Sequence, residues 1–241
     1  MEVLYTDLGL MGYAECWALQ RSLFDRMLAS KAGRADGRDG AAEQDVSDQT
    51  APEQAGTLLL VEHPPVYTLG KSGREANLLV DEERLRAMGA DLFRIDRGGD
   101  ITFHGRGQIV GYPILDLERL GIGLRDYIDR LEEAVICVAA DYGIEAGRIA
   151  GASGVWVEPQ GRRARKLCAI GVRSSRFVTM HGFALNVNTD LRYFDYINPC
   201  GFTDRGVTSI ERETGAAADM AAVKERLVKR LSEKLNVKIY K

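Results

Sequence analysis

Three short segments of this 241-residue chain hold residue types that can do chemistry. The first runs Arg97-Gly-Gly-Asp-Ile-Thr-Phe-His104-Gly-Arg-Gly-Gln108, with four glycines in twelve residues. Glycine lets a backbone approach a ligand closely and adopt positive φ, so such a loop can line a narrow site. A glycine-rich hairpin accounts for the same composition. Neither a GxGxxG nor a P-loop pattern is present. His104 is either a proton carrier or a hydrogen-bonded structural histidine. The second segment is Arg165-Lys166-Leu-Cys168-Ala-Ile-Gly171. Lysine is rarely buried without a partner. Lys166 either snorkels to the surface or sits in a cleft where desolvation makes it a usable base. Cys168 reads as core packing. The third is Tyr196-Ile-Asn-Pro-Cys200-Gly201, where proline and glycine place Cys200 in a tight turn that can present a thiol.

The other cysteines, Cys16 and Cys137, fall on helix faces and read as small apolar groups. No CxxC pair occurs among the four, so free thiols in a reducing compartment are expected. His63, His104 and His181 are scattered and lack the paired spacing of a zinc site. No apolar stretch has the length to span a bilayer and the N-terminus carries no signal pattern, so a cytoplasmic protein is expected. The net charge of −3 argues against a nucleic-acid binder. Arg162, Arg163, Arg165, Lys166, Arg173 and Arg176 nevertheless form a basic run without an acidic residue. It reads as a solvated face or as a landing surface for an acidic partner.

The elements that must position these residues follow from periodicity. An amphipathic helix is expected from Tyr13 to about Ser30, then a mobile insertion from Lys31 to Gln54 that is poor in large apolar residues. Thr57–Glu62 reads as a buried strand, Asp81–Met88 as a short helix and Asp91–Ile95 as a strand. Gln108–Leu115 reads as a strand whose Pro113 hints at an edge or bulge. Leu124, Ile128, Leu131, Val135 and Val138 recur at helical spacing, with Gly143 as the stop. Arg165–Val172 and Phe177–Val187 read as strands, the second presenting Phe183, Leu185 and Val187 to one face. A helix carrying Met220, Val223, Leu227 and Leu231 and a strand at Val237–Tyr240 close the chain. Strands and helices mix without strict alternation, so the fold class is mixed α/β or α+β, in a single domain over 1–241.

Together these segments resemble the lipoate-protein ligase B family, the lipoyl(octanoyl) transferases. The resemblance covers Glu62 to Gly206 and rests on five pieces in order. They are His63-Pro-Pro-Val-Tyr-Thr-Leu-Gly70, the Arg97–Gln108 loop, Arg165-Lys166 with Ala169-Ile170-Gly171, His181-Gly-Phe-Ala-Leu-Asn186, and Asn198-Pro-Cys-Gly201. The resemblance implies the biotin/lipoate protein ligase catalytic fold, a mixed sheet flanked by helices. It implies an acyltransferase that takes octanoyl from octanoyl-acyl carrier protein. The acceptors would be apo lipoyl domains of oxoacid dehydrogenase complexes and the glycine cleavage H protein, with no cofactor. By the same resemblance Cys200 is the nucleophile and Lys166 its partner. The acyl-binding residues would be Arg97, Gly98, Gly99, Asp100, Ile101, Thr102, Phe103 and His104, then Ala169, Ile170 and Gly171, then Gly182, Phe183 and Ala184. The chain departs from the family in carrying Arg106 where proline is usual, and in the length of its insertion. Two rivals are an ATP-dependent ligase of the same fold, which needs no cysteine, and a carrier-binding module without catalysis.

Overall fold

The computed structural model describes residues 1–35, 54–198 and 205–241. Strand β1 (Glu2–Leu10) leads into helix α1 (Tyr13–Ala35). Then come β2 (Gln54–Glu62), β3 (Val66–Leu69), α2 (Glu82–Ala87), β4 (Asp91–Arg94) and β5 (Ile101–His104). The middle of the chain forms β6 (Gln108–Leu115), α3 (Leu124–Asp141), β7 (Ala146–Ile149) and β8 (Ala152–Val157). Long strands β9 (Arg165–Ser175) and β10 (Val178–Asn186) follow, then a 3₁₀ segment at Leu191–Tyr196. The chain ends with β11 (Gly206–Val207), α4 (Ile210–Thr214), α5 (Met220–Leu235) and β12 (Lys238–Tyr240).

Among the described residues the main sheet runs β12-β1-β2-β6-β10-β9-β8-β7, with β11 added to β9, and a second sheet runs β4-β3-β5. Both are mixed, since β1 pairs in parallel with β2 and β12 while β2, β6, β10 and β9 pair antiparallel. The run Leu58-Leu-Leu-Val61 is apolar throughout because β2 is covered on both faces. Leu58 and Leu60 pack with α3 and α5, whereas Leu59 and Val61 pack with Cys16 and Phe24 of α1. A third cluster, with Tyr67, Phe103, Phe194 and Ile197, fills the space behind the small sheet.

Most expected elements are present, and the differences have physical causes. Helix α1 runs to Ala35, beyond the expected end near Ser30. Its added turn begins at Lys31, whose ammonium pairs with Asp116 at 2.8 Å and Glu118 at 2.7 Å. The expected insertion is thereby narrowed to 36–53, which lies outside the described residues. Pro113 is not at an edge, because β6 lies between β2 and β10. The missing N–H of proline is tolerated there because Thr179 bridges the gap from β10. Its hydroxyl donates to Pro113 O at 2.8 Å and accepts from Leu115 N at 3.1 Å.

The buried stripe of α3 is Tyr127, Leu131, Ala134, Val135 and Val138, while Leu124 in the first turn is exposed. Leu131 is fully buried between the sheet and α5. Leu131→Ala is expected to cost about 2–5 kcal/mol, measured by urea unfolding. A loss below about 1 kcal/mol would show that this layer repacks freely.

Candidate active site

The loop after β4 is stitched to both sheets. Lys71 N donates to Arg97 O at 2.9 Å, Ser72 N to Gly99 O at 3.3 Å, and Gly98 N to Val172 O of β9 at 3.0 Å. Two glycines make this approach possible. A Cβ on Gly70 would meet Gly99 O at 2.3 Å, and one on Gly171 would meet Gly98 O at 2.8 Å. Arg97 is nearly buried, and its Nη2 donates to Thr68 O at 2.7 Å and Thr68 Oγ1 at 2.9 Å. Asp100 accepts from Arg74 N at 3.1 Å and Ile101 N at 2.7 Å, fixing the far side of the loop.

Beneath the loop lies an open recess, about 510 Å³ of non-atom space with the adjoining solvent included. Its walls are Arg97, Gly98, Gly99, Asp100, Ile101, Thr102 and His104 from the loop and β5, with Ala169, Ile170 and Gly171 from β9. Gly182, Phe183 and Ala184 of β10 complete it, and Lys166 stands at its margin. The structure thus brings the expected acyl-binding residues together around one cavity, apart from Phe103. That ring turns to the opposite side of β5, stacked on Tyr193 with centroids 4.5 Å apart. Alternation along a strand sends neighbours Thr102 and His104 to the other face. Four further wall residues, Tyr13, Val110, Tyr112 and His181, were not anticipated. Val110 and Tyr112 share one face of β6, which alternation alone could have revealed. His181 sat unread in a quoted motif, and nothing in the sequence singles out Tyr13.

Lys166 does not snorkel. It is 7% exposed, and its Nζ lies 4.5 Å from the centroid of the Trp156 ring. It also lines a wider open groove shared by Gly98, Gly99, Asp100 and Gly171, so the residue borders both hollows. The Arg205 guanidinium lies 5.5 Å over the same Trp156 ring. Strand β11 joins β9 in parallel, with Val207 opposite Lys166, and Thr208 N donates to Lys166 O at 2.9 Å. Cys200 lies outside the described residues. The described residues on either side of its segment, Asn198 and Arg205, line one groove together with Arg165. The thiols of Cys16 and Cys168 are fully buried. Burial pushes Cys16 up to about 12 and Cys168 well above the ordinary thiol range, so both stay protonated core groups. Cys137 is half-buried rather than fully packed.

The basic run does not form one surface. Lys166 faces the cavity, Arg173 pairs with Asp96, and Arg165 is held by Glu213 at 2.5 Å and Glu158 at 2.7 Å. Alternation along β9 and its turns scatters the remainder. Arg162 and Arg163 stay exposed and line the groove beside Arg205 and Arg212.

Burial disfavours the charged form of the wall histidines. His104 Nδ1 donates to Gln108 Oε1 at 2.9 Å, while Gln108 Nε2 donates to Phe103 O at 3.2 Å and Asn186 Oδ1 at 2.8 Å. Burial pushes His104 down to about 3 and His63 down to about 4. Of the two roles open to His104, the structural one holds, because it carries no spare proton near neutrality. His181 is also lowered by burial, against the opposing pull of Asp96. A histidine whose folded pKa lies below its unfolded value resists a proton that the unfolded chain accepts. Stability is therefore full above about pH 6.5 and declines as pH falls from there toward the folded pKa. Unfolding free energy is expected to drop by about 2–4 kcal/mol between pH 7 and pH 5 in urea titrations. Equal stability at both pH values would contradict buried neutral histidines.

Comparison with known proteins places this geometry in a family. Residues 12–232 match the family model of the lipoyl protein ligase A/B catalytic domain. The chain is 53% identical over 231 residues to an octanoyltransferase of Bacteroides fragilis, covering 96% of this chain and 97% of that protein. It is 52% identical over 238 residues to an octanoyltransferase of Bacteroides thetaiotaomicron, covering 99% and 97%. A solved structure of the bipartite lipoate protein ligase system of Thermoplasma acidophilum superposes with a TM-score of 0.68 at 16% identity. That match covers all of this chain and 86% of the other, and it bears on the fold. A glycine-floored cavity under a stitched loop, on the mixed sheet of the lipoate ligases and with this sequence likeness, makes the chain a member of the lipoyl protein ligase A/B catalytic domain family.

Proposed function

We propose that this chain is an octanoyltransferase that works through a thioester on Cys200. It takes the acyl group from octanoyl-acyl carrier protein and delivers it to a lysine of apo lipoyl domains, those of oxoacid dehydrogenase complexes and the glycine cleavage H protein. The full-length relatives named octanoyltransferase support the acyl group and the reaction class. The observation that carries the mechanism is Lys166, a buried lysine that lines the cavity and lies beside the strand that leads out of the Cys200 segment.

A free thiol has a pKa near 8.5, so it needs a neighbouring base or cation to react at neutral pH. Lys166, as the neutral amine, takes the Cys200 proton, and the thiolate attacks the carbonyl carbon of the donor thioester. The carbon–sulfur bond to the carrier breaks, and the departing thiolate takes a proton from Lys166. The acceptor lysine, as free amine, then attacks the Cys200 thioester, and Lys166 takes the amine proton. The carbon–sulfur bond to Cys200 breaks as the amide forms, and the cysteine thiolate recovers the proton from Lys166. Exchange of one thioester for another costs little free energy, and amide formation drives the second step, so no ATP is consumed. Each buried methylene contributes roughly 0.8 kcal/mol to acyl binding. The acidic carrier docks on the groove of about 1290 Å³ lined by Arg162, Arg163, Arg205 and Arg212. The enzyme acts in the cytoplasm as one domain.

Intact-protein mass spectrometry after mixing with octanoyl-acyl carrier protein tests the relay. Wild type is expected to gain one octanoyl group and to lose it when an apo lipoyl domain is added. Cys200→Ser is expected to gain none, and a mutant that still modifies the acceptor would favour the ATP-dependent ligase. Lys166→Ala is expected to slow adduct formation by about 10²–10⁴-fold in rapid-quench measurements. Raising salt from 50 to 500 mM, which shortens the screening length about threefold, is expected to slow loading from the carrier. Salt-independent loading would remove the arginine groove as the docking surface.

A further inference from the structure

His181, one wall of the cavity, has no part in the chemistry above. It lies within β10 with φ of 62°, a left-handed conformation that residues other than glycine rarely adopt. Its side chain is 2% exposed and lines the cavity. Nε2 donates to Asp96 Oδ1 at 3.0 Å. Asp96 is held in turn by Arg173, whose guanidinium lies 5.1 Å over the Phe24 ring. Nδ1 is left as a lone-pair acceptor, buried and without a hydrogen-bond partner among the described residues. Strained backbone at a buried ring clamped through a second residue is the kind of feature a fold retains for a purpose.

Strand register locates the ring along the cavity. Ala184 lies opposite Ala169, Phe183 opposite Ile170, Gly182 opposite Gly171, and His181 opposite Val172. Lys166 lies beyond Ala169 in the other direction along β9. From Ala169 to Val172 the strand advances about 10 Å. An extended acyl chain advances about 1.2 Å per bond, so eight carbons reach about 9 Å. A chain whose carbonyl sits at the Ala169 end, toward Lys166, brings its methyl to the pair formed by His181 and Val172.

We infer that His181 is the length gauge of the acyl cavity: its ring, swung inward by the left-handed backbone and clamped by Asp96, ends the channel at eight carbons. The inference rests on the octanoyltransferase reading and adds to it the residue that chooses the substrate. Two further methylenes would have to occupy the space of the ring and would press hydrocarbon against the Nδ1 lone pair. A shorter chain stops before the ring and forgoes contacts with it.

The test compares kcat/KM for hexanoyl, octanoyl, decanoyl and dodecanoyl thioesters of the carrier protein in wild type and His181→Gly. Glycine takes this φ without strain, so the backbone is kept while the ring is removed. The decanoyl-to-octanoyl ratio is expected to rise at least about tenfold in His181→Gly, since a methylene in a fitted pocket is worth about that much or more. His181→Asn, which tolerates the left-handed region, is expected to give a smaller rise in the same direction. An unchanged length profile in variants that still transfer octanoyl overturns the gauge and leaves the transferase intact. If His181→Gly transfers nothing, calorimetric binding of octanoate and decanoate decides. A tenfold relative gain for decanoate supports the gauge, and equal relative affinities overturn it. A wild type that transfers no acyl chain at all refutes the octanoyltransferase reading, and the gauge falls with it.

Discussion

The cavity exists because four residues of backbone, Arg97 to Asp100, are held between two sheets that otherwise share few hydrogen bonds. On one side the loop accepts amide protons from Lys71 and Ser72, and on the other Gly98 donates to Val172 of β9. These bonds act as a hinge pin. If the loop lifted from β9, the recess would lose its roof. Each bond alone contributes about 0.5–1.5 kcal/mol. Their combined effect is larger because the glycines at 70 and 171 leave the chain no bulkier way to pack there. The small sheet thus serves chiefly to carry one face of the recess to the other sheet.

Charge is rationed around that recess. His63 and His104 are neutral by burial, and the tyrosine hydroxyl of Tyr112 donates to His63 Nε2 at 2.9 Å rather than ionising. Lys166 and Arg205 meet the faces of one indole ring, Trp156, whose quadrupole favours cations. A ring shared in this way links the lysine strand β9 to the residue just before β11. A hydrogen-bonded series then runs from His104 through Gln108 to Asn186, whose Nδ2 donates to Thr208 O at 3.0 Å. It joins the floor of the recess to the same β11 region.

Helices α3 and α5 were legible because each buries a regular stripe, and strands β6, β9 and β10 because each is a long run rich in apolar residues. Strand β1 was not, since Val3 is its single fully buried residue and its exposed residues mix Leu10 with Thr6 and Asp7, so no face stands out. Strand β5 was hidden inside a glycine-rich segment whose composition suggested only loop. The cavity residues were reached through motif resemblance, not through periodicity. Spacing cannot bring Arg97 to Gly171, because that contact depends on a loop crossing between sheets. Likewise no pattern of side chains reveals the left-handed turn of the backbone at His181. The misread turn at Lys31 has a simpler source: a stretch of small and polar residues looks like a loop until a distant pair of carboxylates fixes its lysine.

That pair of carboxylates has another effect. Lys31 near the end of α1 is tied to Asp116 and Glu118, and Gln54 O at the start of β2 accepts from Arg119 Nη1 at 2.7 Å. Both margins of the interval 36–53 are therefore fastened to the same short turn after β6. The closure entropy of a segment with fixed ends rises only slowly with its length, about 0.6 kcal/mol per doubling. The enzyme thus carries a natural grafting point. A fluorescent reporter or an affinity module spliced between these two fastenings would hang from the scaffold without pulling on the sheet that forms the acyl cavity.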